Sequence, residues 1–270
     1  MKQELTVIKL QEKLYRIQED SEFMNVDAYL ICGQDRAVVI DGLAIMPGLY
    51  DCVRAITDKP LSMIVTHGHP DHAGKGMQEF LEAGCEVYRS PREKELVELY
   101  TPVTDLALIK DIEEGNTFNL GGIILEIMEL PGHTPGSVVV FWRKEKILFS
   151  SDAIGSGGLW MQLPESLLLT EYLSGLGKLE DLLAIYPETK IYTGHSWQII
   201  SHIDKDRDYL DKAYVDELVA LTEGIIEGTL TGDKKEIPMD IMEGIDIRSV
   251  KGNEVVDYCY DVRKIHKEKI

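Results

Sequence analysis

A seven-residue stretch, Thr66-His67-Gly68-His69-Pro70-Asp71-His72, limits what this chain can fold into more than any other. The apolar run Leu61-Ser62-Met63-Ile64-Val65 precedes it and reads as a short buried strand. Pro70 suits the first turn of a helix continuing through Met77-Gln78-Glu79-Phe80-Leu81. The stretch is thus a strand end, a tight turn and a helix start. Side chains two apart on an extended segment point the same way, so His67 and His69 can converge on one point. Asp71 and His72 are adjacent and can face a second point close by. Three of the seven histidines of the chain fall here, which argues against a polar helix cap with incidental imidazoles. Imidazoles and a carboxylate together suit Zn(II), or Fe(II) or Mn(II).

Such a turn needs a core behind it. A length of 270 residues with 44% hydrophobic content fits one large domain, or one domain with an appendage. No apolar run approaches the ~20 residues of a membrane span. Met1-Lys2-Gln3-Glu4-Leu5-Thr6-Val7 lacks the apolar core of a signal peptide. Cys32, Cys52, Cys85 and Cys259 are scattered without a C-x-x-C pair and read as reduced thiols. A cytoplasmic location is the expectation. The net charge of −19 disfavours nucleic acid and anionic membranes as partners and leaves a small-molecule substrate.

Along the chain, residues 5–10 and 14–18 read as a strand pair, and 27–32 with 37–40 as a second pair joined by Gly33-Gln34-Asp35-Arg36. Pro47 to Thr57 reads as a helix with Leu49, Cys52, Val53 and Ile56 on one face. Cys85 to Tyr88 is a short strand. Ser90-Pro91-Arg92-Glu93 opens a helix, with Ser90 as cap and Glu93 three residues on. Residues 101–115 join the halves as a loop or short helix. Further strands are expected at 123–130, 138–142, 146–149 and 189–193, with an amphipathic helix from Thr170 to Tyr186. Asp204 to Gly228 reads as one long helix and Gly232-Asp233-Lys234-Lys235 as a turn. Ile245 to Val250 and Glu254 to Tyr258 read as a hairpin. Three roles stay open for this tail: a lid, a homodimer contact or extra packing.

The pattern H-x-H-x-D-H after a strand resembles the signature of the metallo-β-lactamase superfamily. The family's other elements stand in order: Val38-Val39-Ile40-Asp41-Gly42 upstream, then Pro131-Gly132-His133-Thr134-Pro135-Gly136-Ser137, Leu148-Phe149-Ser150-Ser151-Asp152, and Ile191-Tyr192-Thr193-Gly194-His195. The resemblance runs over roughly residues 5–200. It implies an α+β fold, a four-layer αββα sandwich of two similar halves, expected over residues 1–235; residues 236–270 match no core element of the family and are expected as a C-terminal β-hairpin extension packed on or near it. It also implies two divalent metal ions, zinc first, with iron or manganese as alternatives. His67, His69 and His133 would hold one, Asp71, His72 and His195 the other, and Asp152 would bridge them. Asp41 would orient a metal-bound imidazole through its ring N–H, a plain turn former being the alternative. His133 could equally serve its turn structurally, and Asp152 could cap a helix.

The implied activity is hydrolysis of a small ester, thioester or lactone by a metal-bridging hydroxide, with Asp71 or Asp152 accepting a proton as the intermediate collapses. A phosphodiesterase and a mononuclear iron-dependent oxygenase of the same fold are the alternatives. The motifs resemble the glyoxalase II branch most, although Met161 and Trp197 stand where that branch carries a lysine and a tyrosine. Gly155 stands where the lactonases of the family carry a tyrosine. Leu159-Trp160-Met161-Gln162-Leu163 could form an apolar wall of a substrate pocket or ordinary packing, and Trp197 could line the same pocket.

Overall fold

The structure, a computed structural model, describes residues 5–21, 25–101 and 105–266. Part of the amino-terminal segment screened for a signal peptide, and residues 102–104 of the expected connector, lie outside these. Chain contacts divide the protein into two compact units, Met1–Met128 with Val138–Glu145, and Glu129–Ser137 with Lys146–Ile270.

The first unit is built on a seven-stranded sheet in sequence order. β1 (Thr6–Gln11), β2 (Leu14–Asp20), β3 (Asn25–Cys32) and β4 (Ala37–Ile40) pair antiparallel. β5 (Leu61–Ile64), β6 (Glu86–Arg89) and β7 (Ile109–Asp111) then continue parallel. The change of direction follows from the connections. Short turns allow antiparallel neighbours, whereas a parallel neighbour needs a crossover. Those crossovers carry α1 (Leu49–Ile56), α2 (Lys75–Glu82) and α3 (Lys94–Tyr100). β4 is buried along its whole length and β5 nearly so, as parallel strands covered by helices require. Val39, Met63 and Val87 pack with Leu49, Val53, Met77 and Phe80 in the core between sheet and helices. β8 (Thr117–Asn119) and β9 (Ile124–Glu129) pair antiparallel, with β10 (Val138–Trp142) next to β9.

In the second unit β11 (Ile147–Ser151) pairs parallel with β13 (Lys190–Thr193). A four-stranded sheet runs in the order β12 (Gly158–Met161), β16 (Asp257–Asp261), β15 (Ile247–Val250), β14 (Asp233–Lys234). The expected tail hairpin is present as antiparallel β15 and β16, and β16 continues onto β12 in parallel, Trp160 opposite Cys259. α4 (Leu169–Ile185) packs on α6 (Lys212–Glu227), and α5 (Ser196–His202) lies before α6 in sequence. Cys259 sits in a small core with Leu163, Met242 and Ile247. Burial pushes its thiol up to about 11. The four cysteines are free.

Three local expectations are corrected. The helix after Pro70 begins only at Lys75, because the N–H groups of Gly74, Lys75 and Gly76 are directed to the carbonyls of Leu43, Ala44 and Gly42. The long helix expected from Asp204 begins at Lys212. Leu210 exchanges both backbone hydrogen bonds with Ile191, which holds it extended, and the Asp211 carboxylate caps the helix through the Ala213 N–H. Asp233 and Lys234, read as part of a turn, form an edge strand against β15. Among the described residues no helix is long and apolar enough to cross a membrane.

Candidate metal centre

In the first unit, β5 delivers Thr66 and then the ligand turn. His67, His69 and His72 are all buried. The ring centroids of His67 and His69 are 4.8 Å apart, and those of His67 and His72 are 4.4 Å apart. Grouping three imidazoles this closely out of water needs fixed partners. Asp41 supplies them for two of the rings, His67 and His72, from the end of the neighbouring strand, at a left-handed φ of 65°. One carboxylate oxygen accepts from the Thr66 N–H at 2.8 Å and from its hydroxyl at 2.9 Å. The other lies 2.9 Å from His72 Nδ1. Because the Thr66 hydroxyl donates to Asp41, its oxygen accepts from His67 Nδ1, 3.2 Å away. Both rings therefore carry their proton on Nδ1 and the lone pair on Nε2, the tautomer a metal ligand needs.

The turn itself is braced from beneath. The N–H groups of His72 and Ala73 donate to the His69 carbonyl, and Gly42 N–H to that of His72 at 2.6 Å. Glu93, expected to close a capping box at Ser90, instead accepts from the Gly68 N–H at 2.6 Å. It is fully buried. Gly68 is required there: a Cβ would stand 2.6 Å from that of Leu96. Glu93 and Thr66 are contributors whose roles no local pattern announces, since both act across the fold.

In the second unit the candidate ligands come from three segments. His133 follows Gly132, whose Cα packs so closely on the Tyr172 ring that a Cβ would lie 2.1 Å from it. His133 Nδ1 donates to the Trp160 carbonyl at 2.8 Å, and the His133 carbonyl accepts from the Ser166 hydroxyl at 3.0 Å. Asp152 stands just past β11, after Ser151 at φ 47°. The loop beyond it is held by two buried phenols: Tyr172 donates to the Ala153 carbonyl at 2.8 Å and Tyr214 to that of Ile154 at 2.7 Å. Burial pushes both phenols well above their usual range, so they remain donors. His195 is the residue before α5, and its Nε2 lies 3.3 Å from Asp152 Oδ2.

A further clamp comes from late in the chain. Lys264 Nζ donates to the carbonyls of Leu163, Pro164 and Ser166, each at 2.7 Å. Burial lowers its ammonium pKa. The same Ser166 holds His133, so this late segment reaches a candidate ligand through one intermediary.

The donor chemistry fits a divalent metal. Two ligands bound tetrahedrally at about 2.0–2.2 Å stand about 3.4 Å apart. His72 Nε2 and Asp71 Oδ2 are 3.5 Å apart in the first unit, and His195 and Asp152 match this in the second. Both spacings exceed the ~2.7–2.9 Å of a strong charge-assisted hydrogen bond. His67 and His69 likewise offer donor atoms within 4.8 Å of each other.

The expected pocket residues separate. Strand alternation in β12 sends Leu159 and Met161 to a fully buried face and Trp160 outward. Trp160 and Trp197 both line a cavity of about 810 Å³ within the second unit, and Met161 is not among its lining residues.

Comparison with known proteins bears on the family and the fold. The model of the metallo-beta-lactamase superfamily matches residues 22–195. An acyl-coenzyme A thioesterase from Gallus gallus, MBLAC2, is 29% identical over 69% of this chain and 76% of its own length. The hydroxyacylglutathione hydrolase GloC of Haemophilus influenzae is 32% identical, over 36% of this chain and 51% of its own length. A solved metallo-beta-lactamase from Pontibacter korlensis superposes with a TM-score of 0.61 at 20% identity, over 82% of this chain and 99% of that one, a likeness of fold. The fold is the α+β metallo-β-lactamase fold, and the chain belongs to the metallo-beta-lactamase superfamily of metal-dependent hydrolases.

Proposed function

We propose that the protein is a dinuclear hydrolase of small acyl compounds: an ester, a thioester or a lactone. His67, His69 and His133 would hold one divalent ion, and Asp71, His72 and His195 the second, with Asp152 shared between them. The observation that carries the metal dependence in this reading is the matched pair of imidazole–carboxylate spacings, 3.5 Å for His72 with Asp71 and 3.3 Å for His195 with Asp152. Zinc is the ion we assign, from a donor set of imidazoles and carboxylates without thiolate. When bound, the ions polarise the substrate carbonyl and bring a water toward a pKa near neutrality.

The protein's own groups do the rest. Asp41 and the Trp160 carbonyl fix His72 and His133 in the tautomer that presents Nε2. Asp71 stands beside His72 and Asp152 beside His195, and one of these two carboxylates would accept the proton of the attacking water and pass it to the departing oxygen or sulfur. The names of the two curated relatives support an acyl substrate. With a net charge of −19, the partner is a small molecule rather than nucleic acid or an anionic membrane, and the cytoplasm is the compartment.

Initial rates on a matched panel test the reading: a short acyl thioester of coenzyme A, one of glutathione, an acyl lactone and an activated phosphodiester, each with zinc, iron or manganese. Preference for a carbonyl substrate is the expected result. Preference for the phosphodiester would overturn the substrate class and leave the metal ligands as assigned.

A further inference from the structure

The cavity of the second unit is lined by two indoles and three ammonium groups. Its volume, about 810 Å³, falls within the ~300–1,000 Å³ of small-molecule sites. Trp160 and Trp197 are 39% and 38% exposed, whereas Trp142 is 3% exposed. Lys234, Lys235 and Lys251 also line it, with Asp233 and Asp257. Asp257 is already engaged, accepting from Lys235 and from the Ser249 hydroxyl. Among the described residues, Lys234 and Lys251 have no carboxylate within ion-pair distance. In a chain with 47 acidic and 28 basic residues, two lysines left uncompensated beside two open indoles are a local reversal of charge.

We propose that this cavity binds a phosphorylated nucleoside, the far end of the carrier from which the acyl group is cleaved. Trp160 and Trp197 stack on the base, and Lys234 and Lys251 neutralise the phosphates. This rests on the acyl-hydrolysis reading for its connection to turnover. The connection is structural: Trp160 gives its carbonyl to His133, Trp197 lies two residues past His195, and β12 begins six residues past Asp152. The segments that present the second unit's ligands therefore also wall the cavity. Binding energy gathered there from a non-reacting group orients the acyl carbon. An acyl chain would want apolar walls without ammonium groups, and a peptide carrier has no planar base for the indoles.

The first test needs no turnover. The whole protein is titrated with adenosine 3′,5′-bisphosphate and tryptophan fluorescence is followed. The expected result is saturable quenching, largely lost in Trp160→Leu, with Kd raised about tenfold or more in Lys234→Ala/Lys251→Ala. No saturable quenching, or a Kd that the double variant leaves in place, overturns the proposal. The second test compares kcat/KM for one acyl group on coenzyme A and on pantetheine, which lacks the nucleotide. A ratio of about ten or more in the wild type, falling toward one in the double variant, supports the site. Equal values in the wild type overturn its part in turnover. Because quenching is read without hydrolysis, failure of the hydrolase reading and failure of this one give different results.

Discussion

The first unit draws His67, His69, Asp71 and His72 from one turn, whereas the second draws His133, Asp152 and His195 from three separate segments. The means of holding them differ accordingly. One buried carboxylate, Asp41, reaches His72 directly and His67 through Thr66. In the second unit the support comes from several groups. The Trp160 carbonyl holds His133, two phenols hold the loop past Asp152, and Lys264 holds the stretch that carries Ser166. A compact motif can be fixed by one charged partner. Dispersed ligands need the surrounding fold, and damage to any one clamp is shared among several others.

Three substitutions bear on that contrast, in descending order of effect. Asp152→Ala removes the carboxylate proposed to be shared by the two ions. Turnover should fall about 10³-fold or more and metal content should drop, with the circular dichroism spectrum retained. Normal turnover by this variant would sink the dinuclear assignment. Asp41→Asn keeps the shape and withdraws the charge that two imidazoles lean on. Metal affinity, measured by competition with a chelator, should weaken by about 10- to 100-fold. Lys264→Met removes a charged donor from three carbonyls, of which that of Leu163 keeps the Ser166 N–H, and should cost about 1–3 kcal/mol in urea unfolding. Its effect on kcat should stay below tenfold, because His133 keeps its bond to Trp160. A loss in Lys264→Met equal to that in Asp41→Asn would break the contrast between concentrated and distributed support.

The same contrast explains what could be read from the amino-acid sequence. Strands at 61–64, 124–129 and 190–193 and the helix over 169–185 follow from apolar periodicity, which is local. The ligand turn is legible because its residues are contiguous. α6 starts later than apolar periodicity predicts because Leu210 is held extended by Ile191, a partner nineteen positions away that no window of sequence reveals. Glu93 looked like a helix-capping residue by spacing, and only the fold shows it beneath Gly68. Met161 and Trp160 looked alike as pocket walls until the pairing of β12 with β16 decided which face each takes. In each case a long-range contact overrode a local preference.

The Lys264 clamp also has a consequence for the order of events during synthesis. Its acceptors at Leu163, Pro164 and Ser166 lie 101, 100 and 98 positions earlier, and β12 likewise waits for β16. At ~5–20 residues per second, a ribosome takes about 5–20 s to cover that distance. Once His195 has been made, the nascent chain contains every candidate ligand while Trp160 and its neighbours still lack their sheet partner. The Leu159–Leu163 segment is then the stretch that a holdase chaperone would have to shield.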